Sequence, residues 1–196
     1  MESKLIEVDK LDPNFKYEIA RQPGGEKILQ CFACGTCSAS CSIREIDEKF
    51  NPRRIIRMAV LGMKKEVLES DLIWLCADCH FCYERCPQDV RFVEVIQAIR
   101  NIAILQAKEG KIKIESPNPL FAEVFVDSIR AHGRVWETGL MGKFFLKRRD
   151  YSKMFSYAPL GIKMAKAGKL AFLPHGIKGR RKVKEIFKKV EKEEGL

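Results

Sequence analysis

The chain has 196 residues, of which 46% are hydrophobic, and its 36 Lys and Arg against 26 Asp and Glu leave a net charge of +10. This composition is typical of a globular protein with a packed core, and it excludes a disordered or collagen-like chain. No apolar run reaches the roughly 18 residues that a membrane span needs, and the N-terminus lacks the apolar stretch of a signal peptide. We therefore expect a cytoplasmic protein without a membrane span.

Three segments show the apolar periodicity of helices. Asn51-Pro52 supplies an N-cap and a first-turn proline for a helix of about four turns. A longer amphipathic helix is predicted from Phe92 to Lys108, ahead of Gly110. A third is predicted from Pro119 to about Ala131. Only Lys111 to Glu115 suggests a strand, so the pattern indicates an all-α fold.

The last third of the chain differs in pattern and in charge. Glycine and proline interrupt it beyond Gly133, which predicts an extended appendage rather than a second core. A final helix, from about Arg180 to Glu194, carries an apolar stripe among Lys and Glu residues. Residues 1–130 hold 19 basic and 20 acidic side chains, whereas residues 131–196 hold 17 and 6, a net charge of +11. The stripe and the charge together favour docking of this helix on a partner protein.

All eight cysteines lie between Cys31 and Cys86, in the stretches CFACGTCSASC and CADCHFCYERCP. Each stretch reads CxxCxxCxxxC, and in a reducing cytoplasm such a set points to metal or redox chemistry rather than to disulfides. In two-cluster ferredoxins the first three cysteines of such a run bind one [4Fe–4S] cluster and the fourth binds the other. The spacing therefore predicts one cluster on Cys31, Cys34, Cys37 and Cys86, and a second cluster on Cys76, Cys79, Cys82 and Cys41.

Other uses of the cysteines fit this spacing less well. Structural zinc commonly takes two CxxC pairs, and the third cysteine of each run would then be redundant. A thioredoxin-like dithiol needs one CxxC in a βαβ setting, and disulfides need an oxidising compartment. The two runs differ in one respect, since Ser42 follows the fourth cysteine of the first run and Pro87 follows that of the second.

Aromatic side chains and one histidine lie among the predicted ligands. We expect Phe32, Trp74, Phe81 and Tyr83 to form an apolar shell that keeps water from the clusters. His80 is interpreted as a surface residue in preference to a hydrogen-bond donor to a cluster sulfur. The chain contains no GxGxxG, P-loop or nucleophile-elbow motif, so we predict no substrate site of its own.

Two stretches of the sequence resemble a known family. CFACGTCSASCSI and NPRRIIRMAVLGMKKEVLESDLIWLCADCHFCYERCPQDV are similar to the α-helical ferredoxin domain in the iron–sulfur subunits of succinate dehydrogenase and fumarate reductase. Within that group the chain most resembles the C subunit of heterodisulfide reductase, over about residues 25 to 110. The resemblance implies an all-α protein with an N-terminal extension (1–24), a two-cluster ferredoxin domain (25–133) and a basic extension for partner docking (134–196).

The same resemblance implies a function. The chain would be the electron-transfer subunit of an oxidoreductase complex, taking electrons from a flavin and iron–sulfur subunit. Its two [4Fe–4S] clusters would relay them to a catalytic subunit, where the mixed disulfide of coenzyme M and coenzyme B is reduced in methanogenesis.

Two alternatives stay open at this point. The chain could serve another anaerobic dehydrogenase, of the glycerol-3-phosphate, lactate or fumarate reductase type. It could also be an iron–sulfur protein that binds nucleic acid through the run KGRRKVKEIFKK, residues 178–189, since clustered Lys and Arg release counterions from phosphate. That run lacks interleaved aromatic residues, so a partner protein is favoured over nucleic acid, and a membrane-surface role is compatible with the same helix.

Overall fold

The computed structural model describes residues 7–194, and within that range it contains helices and no strands. The predicted all-α fold is confirmed. No helix in this range is both long and apolar enough to cross a membrane. Short 3-10 turns occur at Val8–Lys10, Glu26–Gln30 and Asp71–Trp74. The α-helices are α1 (Phe15–Ala20), α2 (Thr36–Ala39), α3 (Ser42–Ile46), α4 (Pro52–Val60), α5 (Lys64–Leu68), α6 (Phe81–Glu84), α7 (Phe92–Lys108), α8 (Asn118–His132), α9 (Glu137–Arg148), α10 (Tyr151–Ser156), α11 (Ala158–Lys166) and α12 (Arg180–Glu194).

The chain divides into two compact units, the first ending at Ser116 and the second beginning at Pro117. The sequence pattern placed this boundary after residue 133. The structure assigns α8 to the second unit, because α8 packs against α9 and α12. The residues 111–115, which suggested a strand, form an irregular stretch whose Ile112 and Ile114 pack partly buried against the core of the first unit.

Helix α7 is the centre of the first unit. Eight of its residues are buried, among them Val95, Ile96 and Ile99, which are 0% exposed. Helix α1 packs against α4 and α7, and its Phe15 and Ile19 are also 0% exposed. The segment 1–24, which the sequence predicted to be an extension, therefore contributes to the core in its described part, because burying these two side chains removes a large apolar area from water.

Helix α4 begins as its sequence predicts and ends earlier. The Asn51 side chain accepts a hydrogen bond from the Arg54 N–H (3.1 Å), and Pro52 occupies the first turn. The helix stops at Val60 because Gly62 adopts a left-handed conformation, with φ of +84°. A Cβ on Gly62 would lie 2.4 Å from the Asp12 carbonyl oxygen, so only glycine permits this contact with the N-terminal segment.

The second unit is built on α8, α9 and α12, with Val124, Leu140 and Phe145 among its buried residues. The predicted bounds of α12 are confirmed, and α8 differs from its prediction by one residue at each end. Between them the structure forms three helices, α9 to α11, where the sequence predicted an interrupted appendage. Gly139 is accommodated inside α9 because the indole of Trp136 packs directly over it, leaving no space for a Cβ.

Candidate metal centre

The fold brings the two cysteine runs together although 34 residues separate Cys41 from Cys76. Helix α2 of the first run contacts α6 of the second, and both lie near the start of α7. All eight cysteines are free thiols, and they line two neighbouring cavities of about 400 and 310 Å³, both partly open to solvent. The first cavity is lined by Cys31, Cys34, Cys37, Cys82 and Cys86, and the second by Cys41, Cys76, Cys79 and Cys82.

Each cavity thus joins three cysteines of one run to the fourth cysteine of the other. This is the crossed grouping that the spacing predicts, and it supports the ligand assignment, which stays a prediction. Cys82 and Phe92 line both cavities, so the two sites share a wall. Cys82 is 8% exposed, whereas Cys34 and Cys79 are exposed, one in each cavity.

The backbone repeats one unusual conformation in both runs. Ala33 and Gly35, on either side of Cys34, have φ of 58° and 90°. Asp78 and His80, on either side of Cys79, have φ of 50° and 62°. Left-handed residues are uncommon outside glycine, and strain of this kind collects at functional sites. Such alternating backbone also forms concave nests of N–H groups that bind anions, including iron–sulfur clusters.

A buried serine connects the first cavity to α4. Ser38 is 5% exposed, and its hydroxyl donates to Oδ1 of Asn51 (2.7 Å) and accepts from the N–H of Arg53 (2.9 Å). Helix α2, which carries Cys37, is thereby attached to the N-terminus of α4. Arg53 itself lines the first cavity beside Thr36.

Arg100 of α7 holds the second run in place. Its guanidinium donates from Nε to the carbonyl of Ile73 (2.7 Å) and from Nη2 to the carbonyl of Cys76 (3.1 Å). Its third nitrogen lies 3.5 Å from a carboxylate oxygen of Asp78. The Arg100 side chain is only 14% exposed and stacks near the ring of Trp74, 5.8 Å from the centroid. The sequence pattern did not reveal Arg100, because a single arginine in an apolar helix gives no signal of its partners.

The thiols differ in how readily they ionise. The pKa of Cys34 is lowered from its ordinary value, chiefly because the hydroxyl of Thr36 lies 3.3 Å from its sulfur. Burial raises the pKa of Cys76 to about 11 and that of Cys82 to about 12. A buried thiol of this kind becomes a thiolate when a metal supplies the compensating positive charge. Cys86 has a further partner, since its sulfur accepts from the N–H of Val90 at 3.3 Å.

The flanking aromatic side chains do not form a closed shell. Phe32 lines the first cavity and Phe81 the second, yet these side chains are 60% and 54% exposed. Trp74 and Tyr83 are half-buried, as a shell requires. His80 is exposed and its ring meets Tyr83 edge-on at 6.0 Å, in agreement with its interpretation as a surface residue.

The donor set fits iron–sulfur clusters. Four thiolates per cluster are needed, and each cavity offers at least four cysteines, while the described lining of both contains no carboxylate. Soft thiolate ligands suit iron–sulfur clusters. No three His, Cys, Asp or Glu side chains between residues 7 and 194 are grouped closely enough for a single metal ion. The thiols are instead distributed around the two cavities.

Comparison with known proteins agrees with this class. A family described as a 4Fe–4S dicluster domain matches residues 27–90, which contain both runs. The fold and the cavities therefore define a helical two-cluster iron–sulfur protein.

Curated relatives narrow the class further. The second C-type iron–sulfur subunit of CoB–CoM heterodisulfide reductase from Methanocaldococcus jannaschii is 32% identical over 160 residues, covering 78% of this chain and 82% of the relative. The C2 subunit of the H2/formate:CoB–CoM heterodisulfide,ferredoxin reductase from Methanococcus maripaludis is 37% identical over 114 residues, or 55% of this chain and 61% of the relative. The C subunit of the H2:CoB–CoM heterodisulfide,ferredoxin reductase from Methanothermobacter thermautotrophicus is 37% identical over 109 residues, 56% of each chain. The chain belongs to the family of heterodisulfide reductase C subunits.

Proposed function

We propose that this chain is the electron-transfer subunit of a heterodisulfide reductase complex. Its partners would be a flavin and iron–sulfur subunit, which supplies electrons, and a catalytic subunit, which reduces the disulfide of coenzyme M and coenzyme B. The observation that carries the proposal is the pair of adjoining cysteine cavities, each joining three cysteines of one run to the fourth of the other. The names of the relatives support the choice of complex.

The residues of the chain suit this role by position. Cys31, Cys34, Cys37 and Cys86 would hold one [4Fe–4S] cluster, and Cys76, Cys79, Cys82 and Cys41 the other. When bound, such a cluster accepts and releases one electron at a time, and a disulfide needs two. The exposed Cys34 and Cys79 lie where partner proteins can approach, while the buried Cys82 and Phe92 keep water from the wall between the sites.

In this proposal the chain performs no bond-making step of its own. The two cavities are lined by cysteines and mostly apolar side chains, and the cysteines are occupied as ligands. The substrate disulfide would be bound by the catalytic subunit. The proposed compartment is the cytoplasm, because eight free thiols require reducing surroundings.

The composition of the loaded protein is the first test. Iron and acid-labile sulfide are measured on anaerobically purified protein, together with electron paramagnetic resonance after reduction by dithionite. We expect about eight of each per chain and the spectrum of two interacting clusters. Two zinc ions without sulfide would contradict the proposal.

Substitution of single ligands tests the relay. Cys34→Ser and Cys79→Ser each remove one thiolate from a different cavity, so each is expected to lose iron and to abolish disulfide reduction by the complex assembled with the electron-donating and catalytic partners. Ala39→Ser, on an exposed position of the same first run, is the matched control and should retain both. Full activity in either cysteine variant contradicts the relay. Assembly with a different dehydrogenase in place of these two partners would indicate the alternative complex.

A further inference from the structure

One stretch of the second unit combines positive charge with exposed apolar side chains. Residues 151–184 contain nine Lys and Arg and no Asp or Glu. The stretch includes α10, α11 and the first turns of α12. Since the whole chain has a net charge of +10, an acid-free run of this length concentrates that charge locally.

Helices α10 and α11 leave their apolar side chains uncovered. Among the described residues of these two helices, none is buried. Phe155 is 69% exposed and Leu160 55%, and beyond α11 Phe172 is 66% and Leu173 75% exposed. An aromatic or aliphatic group this open to water marks an interaction site when several occur together. We call α10, α11 and Phe172–Leu173 the docking surface.

Helix α12, to which the sequence assigned the partner contact, has part of its apolar stripe packed within its own unit. Val183 and Phe187 are half-buried. The guanidinium of Arg130, on α8, lies 5.1 Å from the centre of the Phe187 ring and is paired with Glu191 at 2.5 Å. The uncovered apolar area is therefore greater on α10 and α11 than on the helix that the sequence favoured.

The docking surface is held at both ends. Asp150 caps α10 by accepting from the N–H of Lys153 (3.2 Å), and the Tyr157 ring lies 6.0 Å from that of Phe145, a buried residue of α9. At the far end, the carbonyl of Ala171 accepts from Nε1 of Trp136 (2.8 Å) and from the hydroxyl of Thr138 (3.0 Å). A surface that is already ordered loses less conformational entropy on binding.

We propose that the docking surface binds an acidic face with an apolar centre on a partner subunit of the complex. This inference rests on the proposed function. Nine basic residues without a single acid require a negative complement, and exposed Phe and Leu side chains are suitable anchors for the centre of a protein interface. Each relative named above is itself a subunit of a larger reductase.

Lipid and nucleic acid fit the surface less well. A helix that lies in a membrane interface offers one continuous apolar face, whereas here the apolar side chains are divided between helices of six and nine residues and an irregular stretch. Nucleic acid would use the basic side chains and would leave the exposed aliphatic groups Leu160, Ile162 and Leu173 without partners.

The test measures binding of the anaerobic, cluster-loaded full chain to the electron-donating and catalytic partners, each purified separately. The triple variant Phe155→Ser, Leu160→Ser, Phe172→Ser removes three anchors, and we expect binding to one of the partners to weaken about 100-fold. The charge variant Lys163→Glu, Lys166→Glu changes only exposed side chains, so it should fold, and it is expected to slow association. Ile186→Ser, at a 61% exposed position of α12, is the matched control and should bind as the unaltered chain does.

The outcomes separate the inference from the proposed function. Iron content and electron paramagnetic resonance spectra are recorded for every variant, and we expect them to be unchanged. Undiminished binding by both the triple and the charge variant overturns the docking surface and leaves the complex standing. Failure of the unaltered chain to bind either partner overturns the complex and the docking surface together. Loss of binding in Ile186→Ser alone, or binding only to phosphatidylglycerol vesicles or to DNA, likewise overturns the docking surface.

Discussion

Single residues make the two cavities electrically different. In the first cavity the Thr36 hydroxyl lies 3.3 Å from the Cys34 sulfur, and the Val90 N–H donates to Cys86 at 3.3 Å. Arg53 adds a positive charge to that lining. The second cavity is lined, over the residues that the structure describes, by cysteines and apolar side chains, and the Ser42 hydroxyl stays 3.9 Å from Cys79. Hydrogen bonds and positive charge favour the more negative, reduced state of a cluster, so the first site should have the higher reduction potential.

Replacing one of these residues should change one potential and leave the other in place. Arg53→Gln removes the positive charge and is expected to lower the potential of the first site by on the order of 40 mV, the equivalent of about 1 kcal/mol for one electron. Redox titration followed by electron paramagnetic resonance measures this directly. Arg57→Gln, exposed on the same helix and absent from both linings, is the control. An equal shift of both signals, or a rise, would show that Arg53 does not distinguish the sites.

At the scale of elements, one side chain fastens the turn Asp71–Trp74 and the second cysteine run to α7. Arg100→Met keeps most of the apolar stem and removes the hydrogen bonds to the carbonyls of Ile73 and Cys76. We expect the free energy of unfolding to fall by about 1 to 3 kcal/mol, because two partly buried acceptors lose their donor. Anaerobic urea unfolding and iron content measure the change, and Arg57→Met serves as the control. Unaltered stability with full iron content would show that the second run is ordered without Arg100.

At the scale of the whole molecule, the two units divide the charge and the proposed tasks. Residues 1–116 hold 18 basic and 18 acidic side chains, while residues 117–196 hold 18 and 8, so the net charge of +10 belongs to the second unit. Two oxidised clusters, each with four thiolates, would add about −4 to the first. The first unit thus supplies all the cysteines, and the second supplies the positive charge.

A truncated chain tests this division. Residues 1–116, produced alone, are expected to bind about eight iron atoms, because every cysteine and every core residue around α7 lies within that range. The fragment should elute from a cation exchanger at lower salt than the full chain. It should also fail to bind the partner that recognises the docking surface. Fragments that precipitate or lack iron would show that the first unit needs the second in order to fold.

Prediction from sequence succeeded where a signal extends over many residues or is chemically specific. Helix α7 was predicted with its observed bounds, because five turns of periodic apolar residues end in Lys108 ahead of a glycine. The crossed cysteine grouping followed from spacing. Helix α1 was missed because six residues give little periodicity, and α9 to α11 because Gly139 and Pro159 were interpreted as breaks. The left-handed conformations of Ala33, Asp78 and His80 leave no trace in the sequence, since they are imposed by the surrounding fold.

The exposure of Cys34 and Cys79 has a consequence for how this protein meets air. Cys82 is buried between the cavities, so dioxygen and peroxide reach the outer rims first and the shared wall last. Oxidation of the thiols should therefore begin at Cys34 and Cys79 and proceed inward. Any protein docked over either rim would act as a shield, and we expect the isolated chain to lose its iron in air faster than the same chain within its complex.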